Sequence, residues 1–87
     1  MKIKEGFMLR EIADSWVVVP VGKRVVEFNG LISLSESGAL LWQKLENGAA
    51  EEDLLKSMLH EYEIEEDAAL ADIRDFIRTL DEKGLFE

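Results

Sequence analysis

Gly30-Leu31-Ile32-Ser33-Leu34-Ser35-Glu36-Ser37-Gly38-Ala39-Leu40-Leu41-Trp42 holds the point at which the chain changes its period. Leu31 to Leu34 read as an extended arm. Ser35 is a good helix N-cap, because its hydroxyl can accept from a backbone N–H left free in the first turn. From there Leu40, Leu41, Trp42 and Leu45 form an apolar stripe that ends at Asn47-Gly48. Everything before this junction reads as strand and everything after it as helix.

Upstream, Phe7, Leu9 and Glu11 alternate with Met8, Arg10 and Ile12, the pattern of a strand near a sheet edge. Asp14-Ser15 marks a turn. Trp16-Val17-Val18-Val19 is β-branched and nearly all apolar, as a central strand covered on both faces would be. Pro20 and Gly22 end it. Val25-Val26-Glu27-Phe28 is a short extended candidate, and Asn29-Gly30 signals a tight hairpin leading into Leu31–Leu34. A small antiparallel sheet is expected.

Downstream, Glu51-Glu52-Asp53 and Glu65-Glu66-Asp67 each put negative charge where a helix start favours it. Leu54, Leu55, Met58, Leu59 and Tyr62 share one face of the second helix. Ala69, Leu70, Ile73, Phe76, Ile77 and Leu80 form the stripe of the third. Lys83-Gly84 stops that helix and frees Leu85 and Phe86 to fold back on the core. The spacing predicts an α+β domain, a sheet followed by three helices.

With 87 residues and no linker, one domain over residues 1–87 is expected. Cysteine is absent, which excludes disulfides and thiolate chemistry. No apolar run approaches the roughly 20 residues of a membrane span, and a cytoplasmic protein is expected. The net charge is −9, and it is uneven: the residues through Leu34 carry +1 and those from Ser35 onward −10. Such a helical half is repelled by nucleic acid and by anionic membrane surfaces, so neither is an expected partner.

Catalytic constellations are missing. His60 is the only histidine, no serine sits in a G-x-S-x-G elbow, and no phosphate-binding glycine motif occurs. The consecutive acidic triplets lack the alternation and glycine of a calcium loop, so no metal and no cofactor is expected. On its chemistry alone, the chain reads as a binding module.

Asp14-Ser15-Trp16-Val17-Val18-Val19-Pro20, then Gly30 through Gly38 with Leu41-Trp42, resemble the PqqD family. Leu45, Asn47-Gly48, Glu52-Asp53-Leu54-Leu55, Glu61-Tyr62, Asp72-Ile73, Phe76-Ile77, Leu80 and Gly84-Leu85 continue the resemblance from about Gly6 to Phe86. Two positions depart from the family pattern. Ser35 stands where asparagine is usual, which keeps a cap, and Ala50 stands where threonine is frequent, which removes one.

The resemblance implies a winged-helix-like fold with a three-stranded antiparallel sheet and a three-helix bundle. It also implies a non-catalytic module that recognises the leader of a ribosomally made precursor peptide. The leader would add a strand to the sheet edge, and the module would present it to a modifying enzyme, often of the radical SAM type. By resemblance, Leu31, Ile32, Ser33 and Leu34 form the receiving strand, and the added leader packs against the third helix. Leu70, Arg74, Ile77 and Arg78 fall at i, i+4, i+7 and i+8 of that helix and share one strip of surface. Its two arginines either meet acidic side chains of the leader or pair with Asp75, Asp81 or Glu82. A homodimer is left open. The alternative is a winged-helix DNA-binding regulator, which calls for a basic recognition helix that is not found here.

Overall fold

The computed structural model describes residues 1–27 and 30–87. Three strands, β1 (Phe7–Ile12), β2 (Ser15–Pro20) and β3 (Ile32–Leu34), form an antiparallel sheet in the order β1-β2-β3. A four-residue helical turn, α1 (Arg24–Glu27), lies between β2 and β3. Helices α2 (Glu36–Glu46), α3 (Glu51–Glu61) and α4 (Glu66–Glu82) follow. The expected α+β class holds, and apart from α1 the three strands precede the helices as expected.

The β1–β2 hairpin closes through Ala13 and Asp14, both at positive φ (49° and 67°). Positive φ at both central positions is what a two-residue hairpin of type I′ needs, and it matches the twist of the strands it joins. The turn thus sits one residue earlier than Asp14-Ser15, and Ser15 already belongs to β2. β2 is central, as expected, but it is covered on one face only. Val18 is fully buried whereas Val17 and Val19 are half-buried on the other side, beside Met8, Arg10 and Ser33 across the ladder.

Over residues 25–27 the expected strand is not formed. Arg24 to Glu27 make a helical turn through local bonds such as Val25 N–H to the Gly22 carbonyl (3.3 Å), and Val26 is 90 % exposed. Both edges of β2 are occupied by β1 and β3, so these β-branched residues find no ladder to join and bond locally instead. β3 accordingly pairs with β2, Trp16 opposite Leu34 and Val18 opposite Ile32, rather than with residues 25–27. Phe28, the end of that expected strand, and Asn29, the first half of the hairpin signal, lie outside the described residues.

The core joins the inner sheet face to the three long helices: Val18 and Ile32, Leu41, Trp42 and Leu45 of α2, Leu54 and Met58 of α3, and Ala69, Ile73 and Leu80 of α4. Phe7 meets Trp42 edge-on, with ring centroids 6.3 Å apart. The chain ends as the glycine signal predicts. Gly84 takes φ +72°, Leu85 N–H returns to the Leu80 carbonyl (3.0 Å), and Leu85 is fully buried. Phe86 then bridges Ile3, which ties the N-terminal segment into the core. No helix of the described residues is long and apolar enough to cross a membrane.

Candidate functional site

The sheet ladder decides which way β3 points its backbone. Val21 N–H donates to the Gly6 carbonyl (2.8 Å), which continues the β1–β2 register and fixes its parity. In an antiparallel pair, directly bonded residues alternate with unbonded ones. Met8, Arg10 and Ile12 therefore face Val19, Val17 and Ser15, leaving Trp16 and Val18 of β2 to bond toward β3. Their partners are Leu34 and Ile32. Ser33, between them, turns its N–H and C=O to the free edge. Among the described residues neither of these groups has a partner. Side chains alternate in the other direction: Ile32 and Leu34 point to the helices, and Ser33 stands exposed on the outer face.

Beside that edge lies a cleft of about 380 Å³ between β3, the start of α2, and α4. Ile32, Leu34, Leu41, Phe76 and Leu80 make its apolar floor. Ser35 and Ser37 stand on one rim, and Asp72, Asp75 and Thr79 on the other. Ser35 caps α2 by accepting from Gly38 N–H (3.1 Å), which sets where β3 stops and the helix begins. Gly38 is buried at the closest approach: a Cβ there would lie 3.3 Å from Ser35 Oγ and 3.4 Å from Phe76. An open edge next to an apolar trough can accept one more strand, with alternate side chains dropping into the trough.

The structure divides the residues expected to form the site. Ile32, Ser33 and Leu34 line the cleft, and Leu31 is exposed just before β3. Leu70, Arg74, Ile77 and Arg78 do not line it. On a helix that turns about 100° per residue, Asp72, Asp75 and Thr79 flank the buried stripe of Ala69, Ile73 and Leu80 on one side. Leu70, Arg74, Ile77 and Arg78 flank it on the other. Arg74, Ile77 and Arg78 instead border a second depression with Met1 and Phe86. Both arginines are paired. Arg74 reaches Glu51 of α3 at 3.0 Å, and Arg78 binds Asp75. The hydrogen bond from Arg74 holds the Glu51 carboxyl below its usual range, although burial opposes the shift, and it raises Arg74 in turn.

Asp72, Asp75 and Thr79 line the cleft, which the apolar periodicity does not reveal. Phe76 was readable only as core, and it is half-buried because one side of its ring faces the cleft. Their signal lies in the helix register: i, i+3, i+4 and i+7 beside the buried stripe, on the side turned to β3. Among the described residues no group of three His, Cys, Asp or Glu side chains could hold a metal.

No curated protein matches the chain. Among solved structures, the one described as TbiB1 in complex with the TbiA(beta) leader peptide is 28 % identical, with a TM-score of 0.77 over 100 % of this chain and 95 % of that one. Lasso peptide synthetase B1, complexed with the leader peptide, shares the fold at 23 % identity and a TM-score of 0.74, over 97 % of this chain and 93 % of that one. The matched family span opens at β2, takes in the cap, the buried glycine and α4, and closes at the returning Leu85. Residues 15–85 match the family described as Coenzyme PQQ synthesis protein D (PqqD), and the chain belongs to that family.

Proposed function

We propose that residues 1–87 form a single non-catalytic module that binds the leader segment of a ribosomally made precursor peptide and presents it to a modifying enzyme in the cytoplasm. By the family resemblance, the enzyme is of the radical SAM class. The observation that carries this reading is the outward backbone pair of Ser33 beside an apolar cleft. It is supported by a fold shared with a 28 % identical chain described in complex with a leader peptide. The leader adds as a fourth strand along β3, and its inward side chains rest on Ile32, Leu34 and Phe76. The peptide strip on α4 is then Asp72, Phe76 and Thr79 rather than Leu70, Arg74, Ile77 and Arg78.

The regulator alternative is disfavoured by charge. Along α4, Arg74 and Arg78 stand against Glu66, Asp67, Asp72, Asp75, Asp81 and Glu82, the reverse of a helix that approaches phosphates. The test is to titrate short precursor peptides encoded beside this gene into labelled protein and follow backbone amide shifts. The expected shifts centre on Ser33, Asp72, Phe76 and Thr79. Shifts confined to the depression at Met1, Arg74 and Phe86 would overturn the edge-strand reading.

A further inference from the structure

Resting on that reading, we propose that the bound segment carries a lysine or arginine facing Asp72, at a position of the same parity as its apolar anchor. The cleft has an apolar floor, hydroxyls on one rim and carboxylates on the other, and neither Lys nor Arg lines it. Of the two carboxylates, Asp75 is already paired with Arg78. Asp72 is exposed on the cleft side of α4 and has no ion-pair partner among the described residues. The site thus presents one uncompensated negative charge beside Phe76. A peptide carboxylate placed there would be repelled, and an ammonium or guanidinium attracted. A long basic side chain suits both surfaces, since its methylene stem can cover the Phe76 ring while its head reaches Asp72.

The strand geometry constrains the spacing. In an added strand, successive side chains point to opposite faces, so only alternate residues look into the cleft. The basic residue and the apolar anchor on Ile32 and Leu34 must both look inward, and an even number of positions therefore separates them. The sign is opposite to that expected from Arg74 and Arg78, because those two residues lie on the other flank and are already neutralised. The protein's net charge of −9 draws basic peptides at long range as well, so a control must separate that field from the local contact.

The experiment selects binders from a displayed library of random nine-residue peptides on the intact protein. Lysine or arginine is expected to be enriched at one position, an even distance from an enriched apolar position. Asp72→Lys should weaken the selected basic peptides roughly three- to tenfold at low salt, and reselection on that variant should favour aspartate or glutamate. Glu63→Lys, the same charge change on an exposed residue away from the cleft, should change affinity less than twofold. Binders that depend on Ser33, losing affinity in Ser33→Pro, yet show no basic enrichment overturn the inference and leave the edge-strand reading standing. So does an Asp72→Lys effect no larger than that of Glu63→Lys. Binders indifferent to Ser33→Pro, or no binders at all, overturn the edge-strand reading and the inference together.

Discussion

Proline scanning of β3 tests the mechanism at the backbone, and the two central positions should behave oppositely. Ile32 bonds inward to Val18 and is 8 % exposed. Ile32→Pro removes that donor, orphans a buried Val18 carbonyl and shrinks a core side chain. Together these cost about 3–5 kcal/mol. An 87-residue domain has about 4–13 kcal/mol in all at the usual stability per residue. The variant is expected to melt well below wild type, and to unfold outright if the total lies near the low end of that range. Ser33→Pro removes no ladder bond, since the Ser33 N–H points to the free edge, and edge positions tolerate proline. Its cost to the fold should be no more than about 1 kcal/mol. For binding the order reverses. The incoming strand loses the donor for one of its carbonyls, and the ring occupies that carbonyl's place. A loss of about 1–3 kcal/mol corresponds to a roughly 5- to 150-fold weaker Kd. Calorimetric titration of a leader peptide, with circular dichroism melts of each variant, reads both effects. Ser33→Ala keeps the N–H and should bind like wild type. A folded Ser33→Pro variant that binds as tightly as wild type would refute the edge-strand mechanism.

At the start of α3, Asp53 already accepts from Ala50 N–H (2.9 Å), but Ala50 has no oxygen to return the bond. Ala50→Thr completes the capping box and should stabilise by about 0.5–1 kcal/mol, a rise in Tm of roughly 2–8 °C by thermal melt. Because the folded Glu51 carboxyl titrates below its ordinary value, the Arg74 pair contributes stability above that ordinary value and loses it as pH falls through the lowered one. An NMR titration should show the low Glu51 midpoint, and Arg74→Ala should return it upward. Gly38→Val places bulk against Ser35 Oγ and Phe76 at the cleft floor, so it should weaken leader binding more than Gly38→Ala does, as read by the same calorimetric titration. Duplex DNA should not bind at physiological salt, and a sequence-specific gel shift at sub-micromolar protein would contradict the charge argument.

The fold was legible wherever period and punctuation agreed. Ser35, Asn47-Gly48 and Lys83-Gly84 bound helices with continuous apolar stripes, and each helix stands where its stripe predicts. Val25-Val26 was misread because β propensity describes a residue that has a ladder to join, and the order of the sheet denies it one. The strand pairing of Leu31–Leu34 followed the same error, since a hairpin signal cannot reveal that β2 offers a better partner. At the candidate site, the short strand over Ile32–Leu34 is legible in the sequence, and the strip of α4 that lines the cleft is not. Apolar periodicity locates the buried stripe of α4, but it does not say which flank turns toward β3. The two arginines that stand out in an acidic helix lie on the flank beside Met1 and Phe86, not on the one that lines the cleft. Their partners are Glu51, 23 residues away, and Asp75, and only the packing of α3 on α4 brings the first into reach.

The shortness of β3 governs how affinity must be distributed. An open edge invites pairing with any exposed strand, and short edges limit that hazard. β3 has three residues, of which Ser33 alone turns both backbone groups outward. Two main-chain hydrogen bonds at about 0.5–1.5 kcal/mol each give no more than about 3 kcal/mol net. A micromolar complex needs about 8 kcal/mol, after the ordering of a flexible peptide has been offset. The backbone can therefore set register and direction, but most of the affinity must come from side chains on Ile32, Leu34 and Phe76, helped by any charge met at Asp72. It follows that truncating the peptide's apolar anchor to alanine should cost more than Ser33→Pro. Were the proline the more damaging change, the extended pairing would have to run beyond β3, onto Leu31 and Ser35, which share the parity of Ser33.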